Sequence, residues 1–242
     1  MSLRLCFILL GLLAANALPA GATSLSVSPI GIERVAPAAA ASLTLRNTGE
    51  RAINVQVRVF RWTQQGGSDR LDPTREVAVS PPVTALAPGV DYTVRVVRIS
   101  KTPVRGEEGY RVFVDELPDR SAGDSTTVQH LTRYSIPVFF RAQTAVAADV
   151  AWQGGVNGRE VTLAATNRGD KHFKVGRLIL RDAAGHEFEL SAGLLGYVLG
   201  ASDMTWELRT PGQRRAQPGP AELTITSDGD TLHVPITLRV GG

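Results

Sequence analysis

The side chains that could carry out chemistry are widely separated along this 242-residue sequence. None of the four histidines has a second histidine or an acidic residue at the spacing of a metal site; they are His130, His172, His186 and His233. Asp115 and Glu116 are adjacent acids, but neighbours on a strand point to opposite faces, so they cannot act together as general acid and base. Nucleophile elbows and glycine-rich phosphate loops are also missing from the sequence. It therefore predicts a binding protein rather than an enzyme, with no catalytic residue, metal, cofactor or small-molecule substrate.

The first 22 residues have the features of a secretory signal peptide. Arg4 precedes an apolar run at residues 5–13, and a stretch of small residues ends at Ala22. The run is shorter than the roughly 20 residues of a membrane-spanning helix. We therefore expect export with cleavage near Ala22, and an uncleaved anchor is the alternative. Cys6 is the only cysteine and lies in this segment, so the mature chain would have no disulfide.

The overall charge is close to balance. The sequence has 26 basic and 23 acidic residues, a net charge of +3. Removal of the first 22 residues takes away Arg4 and leaves 25 basic residues against 23 acidic ones. So small an excess does not favour binding to nucleic acid.

Most of the later segments alternate apolar and polar residues with a period of two, which is typical of half-buried strands. These segments are residues 53–59, 92–99, 110–114, 160–164, 221–226 and 232–240. Turn sequences such as Asn47-Thr48-Gly49 and Asn167-Arg168-Gly169 separate them. The pattern predicts an all-β chain with more strands than one seven-stranded sandwich holds. A break at the small residues 142–148 divides it into expected domains at residues 23–144 and 145–242.

Four segments, in this order, resemble the periplasmic chaperones of the chaperone–usher pilus pathway, the PapD-like family. They are residues 25–29 with 43–49, the Pro-Pro and Leu-x-Pro-Gly pattern at 80–89, the strand at 110–118 that ends Glu-x-Pro, and Ser-Ile-Pro-Val-Phe-Phe-Arg at 135–141. The Tyr-Arg and Ile-Pro-Val-Phe forms are similar to the archaic branch associated with spore-coat-U proteins. The resemblance implies two consecutive immunoglobulin-like antiparallel β-sandwich domains in an L shape.

The resemblance also implies how such a protein works. It would bind pilus or coat-like subunits in the periplasm, complete their fold with a donated strand, and deliver them to an outer-membrane usher. The predicted donor-strand anchors are Val128, Leu131, Tyr134, Ile136 and Val138. An ordinary core strand is the alternative, but it leaves unexplained the shift in apolar phase between Val128 and Tyr134. The exposed strand edge could also pair with a second copy of the free chaperone.

Typical family members hold the terminal carboxylate of the pilus subunit with a basic pair, and Gly31 and Pro137 stand at those two positions here. Arg111 is the predicted substitute, with Arg34 and Arg133 as further candidates, because a guanidinium pairs well with a carboxylate. The alternative is that Arg111 is a solvated strand residue.

The resemblance further implies an ion pair at the domain junction. Glu116 and Arg141 end two strands that the family places side by side, and we expect their charges to meet. Two unrelated surface charges are the alternative. A third, acidic partner in the second domain is not identified by the sequence.

Two other classes of exported β-protein are alternatives to the chaperone. A structural or adhesive surface subunit should carry an N-terminal donor extension, and residues 23–29 are too short for one. A β-sandwich hydrolase would need a clustered acid, base or metal site, which the positions of the histidines and carboxylates do not provide.

Overall fold

The computed structural model describes residues 25–118 and 131–241, and these residues form nineteen strands and no helix. The predicted signal peptide and Val128 lie outside the described residues. The first ten strands are β1 (Leu25–Ser28), β2 (Ile32–Val35), β3 (Ala40–Asn47), β4 (Ile53–Gln65), β5 (Ser68–Pro73), β6 (Val77–Ser80), β7 (Val83–Leu86), β8 (Asp91–Arg98), β9 (Glu107–Leu117) and β10 (Arg133–Arg141). No helix of the described chain is long and apolar enough to span a membrane.

These ten strands form two sheets that pack face to face. One sheet has the order β1-β3-β8-β6, and the other has the order β2-β10-β9-β4-β5 with β7 paired to β4. Alternation places one side of each strand in the shared core, as Leu43 and Leu45 of β3 and Val112 and Val114 of β9 illustrate. The first sandwich is therefore built by the period-two pattern that the sequence displays.

The polypeptide changes sheets within its first described residues. β1 pairs antiparallel with β3, whereas β2 pairs in parallel with β10 in the opposite sheet. The β2 pairing covers only Val138–Arg141, so the first half of β10 has a strand on one side only. This exchange creates the open edge described below.

The second sandwich consists of the last nine strands. They are β11 (Val150–Asn157), β12 (Glu160–Asn167), β13 (Phe173–Val175), β14 (Leu178–Arg181), β15 (Glu187–Ser191), β16 (Gly196–Val198), β17 (Ser202–Arg209), β18 (Gly219–Ser227) and β19 (Asp230–Val240). Seven of them form a sheet of order β15-β14-β18-β19-β11-β12-β17, and β13 pairs with β16. A separate apolar core fills this sandwich. The predicted boundary between residues 144 and 145 falls in the connection between β10 and β11.

Both predicted Asn-x-Gly turns are held by a buried asparagine. The Asn47 amide donates to the carbonyl oxygens of Arg51 and Leu86, and its Oδ1 accepts from the Gly49 amide. Asn167 repeats this arrangement in the second sandwich, with the carbonyls of Lys171 and Val198. Each asparagine side chain thus pairs with two backbone carbonyls and one backbone N–H, which offsets the cost of burying its own polar atoms.

Candidate functional site: an open strand edge beside an interdomain cleft

The first half of β10 presents its backbone to solvent on one side. β9 pairs along the whole of β10, from Arg133 opposite Asp115 to Arg141 opposite Glu107. Pro137 has no N–H, so it fits this ladder only if its nitrogen faces away from β9. Arg141 has the same orientation, since its carbonyl accepts the Ala36 amide on the β2 side. Ser135 therefore directs its N–H and C=O to the open side, whereas the Pro137 carbonyl faces the Ile32 amide, where the parallel pairing with β2 begins.

The side chains of β10 alternate between two environments. Tyr134, Ile136, Val138 and Phe140 point into the first sandwich, where the last three are at most 1% exposed. Tyr134 packs against the same core and its hydroxyl donates to the Leu25 carbonyl at 2.7 Å. The prediction that Ile136 and Val138 are exposed anchors is therefore wrong, because both complete this chain's own core. Leu131, two residues before β10 begins, is 49% exposed.

Ile136→Ala is expected to lower the free energy of unfolding by about 2–5 kcal/mol, because it leaves a cavity in a packed core. Urea unfolding of the variant and the parent chain measures the difference. Ser135→Ala, at the exposed neighbour, should stay within about 0.5 kcal/mol of the parent. If the Ile136→Ala chain is as stable as the parent, Ile136 does not pack in the chain's own core and is again a predicted donor-strand anchor.

The start of β10 is tied to β9 by charged side chains. Asp115 accepts from Arg133 and, at 2.6 Å, from the Nη2 of Arg58 on β4. Next to it, the Glu116 amide donates to the Thr132 carbonyl at 2.9 Å, and the Thr132 amide donates to the Glu116 carboxylate at 3.3 Å. These contacts set the position at which the open edge begins.

The predicted ion pair between Glu116 and Arg141 is wrong. β9 and β10 are antiparallel, so their last residues lie at opposite ends of the pair, and Arg141 is opposite Glu107. Glu116 is nine residues further along β9, about 30 Å away at about 3.3 Å per residue. The acid at the domain junction is therefore Glu107, which the sequence interpretation did not single out.

A cavity of about 580 Å³ lies between the two sandwiches, next to the open edge. Its walls come from β2 and the connection before it, from β9 and β10, from β13 and β16 with the connections before them, and from the β18–β19 turn. The lining residues are Ile30, Gly31, Ile32, Glu33, Arg111, Ser135, Pro137, Phe139, His172, Lys174, Leu194, Tyr197 and Asp228. Gly31 faces Pro137 here, since a Cβ built on Gly31 would lie 3.7 Å from the Pro137 Cγ. Gly31 and Pro137, where the resemblance leads one to expect a basic pair, thus meet in this cavity without a charge.

Arg111 supplies a guanidinium to this cleft. Its Cζ lies 3.7 Å from the ring centroid of Trp62 and 5.3 Å from that of Tyr197. Burial lowers the pKa of Arg111, and the Tyr197 and Asp69 groups oppose that change only in part. Among the described residues the guanidinium has no acidic partner within ion-pair distance, whereas Lys174 pairs with Asp228 at 3.3 Å. The cleft therefore holds a partly desolvated cation with no counter-charge in contact.

The other two predicted carboxylate anchors lie elsewhere. Arg34 donates to the carbonyls of Ala40 and Glu33, and Arg133 is bound to Asp115. Neither belongs to the cleft lining. Of the three candidates, only Arg111 occupies the cavity that Gly31 and Pro137 share.

An aromatic cluster joins the two sandwiches at the base of the cleft. Trp62 and Phe139 from the first sandwich pack against Tyr197 and Leu199 from the second, and all four are nearly buried. The Gln64 amide group reinforces the contact by donating to the Tyr197 carbonyl and accepting from the Leu199 amide, both at 2.8 Å. The sequence contains one indication of this contact. The run Val138-Phe139-Phe140 is apolar at three successive positions, as expected of a strand buried on both faces.

His172 is the residue of the second sandwich that meets the junction acid. Its ring stacks on Phe139 with centroids 3.7 Å apart, and its amide and Nδ1 contact Glu107 Oε1 at 2.7 and 2.8 Å. Glu107 Oε2 and the Nε of Arg141, on opposing residues, are buried with no hydrogen-bond partner in the described part of the chain. A buried histidine–carboxylate contact thus stands where the sequence interpretation expected a third, acidic partner.

The other two histidines that the structure describes make separate contacts. His186 contacts Asp182, His233 contacts Glu222, and His130 lies outside the described residues. Within residues 25–118 and 131–241 no cluster of three or more histidine, cysteine or acidic side chains could hold a metal ion.

Comparison with known proteins gives a family and a set of similar folds. No curated protein sequence matches the chain. The sequence profile of the family described as "Pili and flagellar-assembly chaperone, PapD N-terminal domain" matches residues 24–145.

Several solved structures have the same fold. One is a chain of the CsuC–CsuE chaperone–tip adhesion subunit pre-assembly complex, from the archaic chaperone–usher Csu pili of Acinetobacter baumannii. It is 24% identical with a TM-score of 0.67, over 90% of this chain and 100% of that chain. A chain of the Salmonella enterica SafA pilin complex with the SafB chaperone is 18% identical with a TM-score of 0.58, over 90% of this chain and 97% of that chain. The Pseudomonas aeruginosa CupB2 chaperone is 16% identical with a TM-score of 0.55, over 88% of this chain and 100% of that chain. This chain therefore has the fold of two consecutive immunoglobulin-like sandwiches.

Proposed function

This chain belongs to the pili and flagellar-assembly chaperone family, and from that premise we propose that it captures a pilus subunit on the open edge of β10. The observation that carries the proposal is the unpaired side of Arg133–Ile136 directly beside the cleft. An incomplete subunit sheet would add to this edge, and the donated strand would complete the subunit's fold. The subunit would then be passed to an outer-membrane usher in the periplasm.

Strand addition suits this edge for a physical reason. Backbone hydrogen bonds supply sequence-independent attraction, and side chains at alternate positions supply specificity. Leu131 is exposed at the beginning of the edge, and filling a subunit pocket with it would contribute about 1.5–3 kcal/mol. Val128, upstream of it, stays a predicted anchor, whereas the structure assigns Ile136 and Val138 to the core. Pro137 would end the augmented ladder, because it has no N–H to donate.

The cleft is the proposed seat of the terminal carboxylate of the pilus subunit. Arg111 is the cation available there, since Gly31 and Pro137 carry no charge and Lys174 is paired with Asp228. Its Cζ already lies over the Trp62 ring, 3.7 Å from the centroid, so binding would cost little rotamer freedom. A guanidinium in a partly desolvated cleft binds a carboxylate more strongly than one in water.

Co-expression with the pilin-like subunits of the same operon tests the proposal. We expect a stable complex with equal amounts of the two chains in affinity capture and size-exclusion chromatography. A subunit variant whose own sheet is completed by a fused donor strand is the matched control, and it should not be captured. Failure to isolate a complex with any subunit would contradict the chaperone role, and recovery of a homo-oligomer alone would assign the edge to self-association.

A further inference from the structure

A second open edge lies in the C-terminal sandwich, far along the chain from β10. β11 and β19 pair in parallel only where Gly154–Val156 meets Leu238–Val240. Before those residues the two strands separate, and Val150–Gln153 and Asp230–Ile236 have no partner on the facing side among the described strands. The outcome is a gap in an otherwise continuous sheet.

The gap has a defined chemistry. It encloses about 400 Å³, within the range of about 300–1,000 Å³ typical of ligand pockets. Trp152 and Ile236 line it on the core side, and Trp152 is supported by Trp206, with ring centroids 5.8 Å apart. On the outer face stands Arg239, whose guanidinium makes no hydrogen bond or ion pair within the described chain. The gap thus combines an apolar floor with an unpaired cation.

The strand pattern around the gap repeats that of β10. In β10, the last strand of the first sandwich, Ile136-Pro137 precedes Arg141. In β19, the last strand of the second sandwich, Val234-Pro235 precedes Arg239, with the same number of residues between the proline and the arginine. Pro235 is opposite Glu222 of β18, so its nitrogen, which lacks a hydrogen, faces the gap. Gly241, which has the same orientation, donates to the Val156 carbonyl across the seam. In both sandwiches the parallel pairing begins after the proline, at Val138 in β10 and at Leu238 in β19, and the edge before it is open.

We propose that this gap is a docking site for an extended segment of a partner protein in which apolar residues alternate with acidic ones. Two facing strand edges call for backbone donors and acceptors, which an extended peptide supplies. Alternate side chains of such a segment point to opposite faces, so apolar residues would cover Trp152 and acidic residues would reach Arg239.

A second copy of this chain does not meet these requirements. Its edge strand β15 has the right alternation, Glu187-Phe188-Glu189-Leu190, but Phe188 is 2% exposed in its own core. Glu189 is also paired, with its Oε1 2.6 Å from the Nε of Arg177. Leu190 also packs against that core, so the strand has no free apolar side chain for the floor of the gap.

The probe for the test is the peptide acetyl-Val-Glu-Val-Glu-Val-Glu-amide, titrated into the full chain and followed by amide NMR shifts. We expect saturable shifts at residues 150–153 and 231–237, lost when alternate peptide amides are N-methylated. Arg239→Glu should weaken binding of this peptide at least about tenfold, because the charge at the gap is reversed. For the same reason the variant should bind more tightly a peptide in which lysine replaces each glutamate. Ser135→Pro, which blocks the β10 edge, should leave the shifts unchanged.

Three outcomes would overturn the proposal. They are the absence of shifts at the gap at millimolar peptide, shifts confined to β10, and equal binding of the N-methylated peptide. Concentration-dependent dimerisation that Arg239→Glu abolishes would assign the gap to a second copy instead.

Discussion

Replacing Ser135 with proline is expected to weaken capture of the pilus subunit at least about tenfold while the chaperone stays folded. Ser135 directs its N–H away from β9, so the loss of that hydrogen leaves the β9–β10 ladder intact. On the open side the pyrrolidine ring replaces a donor and obstructs the adding strand, and one backbone hydrogen bond alone is worth about 0.5–1.5 kcal/mol. Dissociation constants for the complex of chaperone and subunit measure the effect.

Two control variants separate edge pairing from other causes. Ser135→Ala keeps the backbone N–H and should bind like the parent chain. Ile136→Pro places the missing N–H on the β9 side, so it should disrupt the ladder and lower stability in urea. Undiminished binding by a folded Ser135→Pro chain would show that the subunit does not pair with this edge.

Removing the charge of Arg111 is expected to weaken subunit binding by about 30-fold or more. Truncating one member of a desolvated, hydrogen-bonded charge pair costs about 2–5 kcal/mol, and about 2 kcal/mol corresponds to that factor. Arg111→Met is the preferred variant, because its unbranched side chain preserves packing on Trp62 while the charge is lost. Isothermal titration calorimetry or competition binding with the subunit provides the measurement.

A thermodynamic cycle tests whether the carboxylate is the group that Arg111 binds. Amidation of the terminal carboxylate of the pilus subunit should weaken binding to the parent chain by a similar factor, and should have little further effect on Arg111→Met. Arg95→Ala, an exposed arginine on β8 in the other sheet, is the matched control and should bind normally. Additive effects of amidation and Arg111→Met would place the carboxylate elsewhere.

The sequence was sufficient to predict the architecture. Alternation in segments such as 53–59 and 160–164 corresponds to β4 and β12, and both Asn-x-Gly turns end strands as expected. These features are local: a period of two and a turn-forming side chain depend on neighbours within a few residues. The order of the four family-like segments likewise identified the family that the profile match to residues 24–145 shows.

Site residues were harder to predict, because their roles depend on contacts between distant segments. Alternation places Tyr134, Ile136 and Val138 on one face of β10, but it does not say whether a partner or the chain's own second sheet covers that face. The structure shows that the sheet containing β3 and β8 covers it. The residues that remain available are Leu131 and the outward backbone of Ser135.

The open strand edge and the cleft beside it also combine local features, which the sequence predicts, with contacts between distant segments, which it does not. The sequence alone led to the expectation of export, the all-β fold, the uncharged pair Gly31 and Pro137, and Arg111 as a candidate anchor. Only the tertiary structure decided that Glu107, not Glu116, lies opposite Arg141, because antiparallel pairing reverses the order of residues. It also brought Trp62 and Tyr197 together beneath the Arg111 guanidinium from two different sandwiches. Sequence periodicity describes which way a side chain points along one strand, whereas packing between sandwiches determines what it meets.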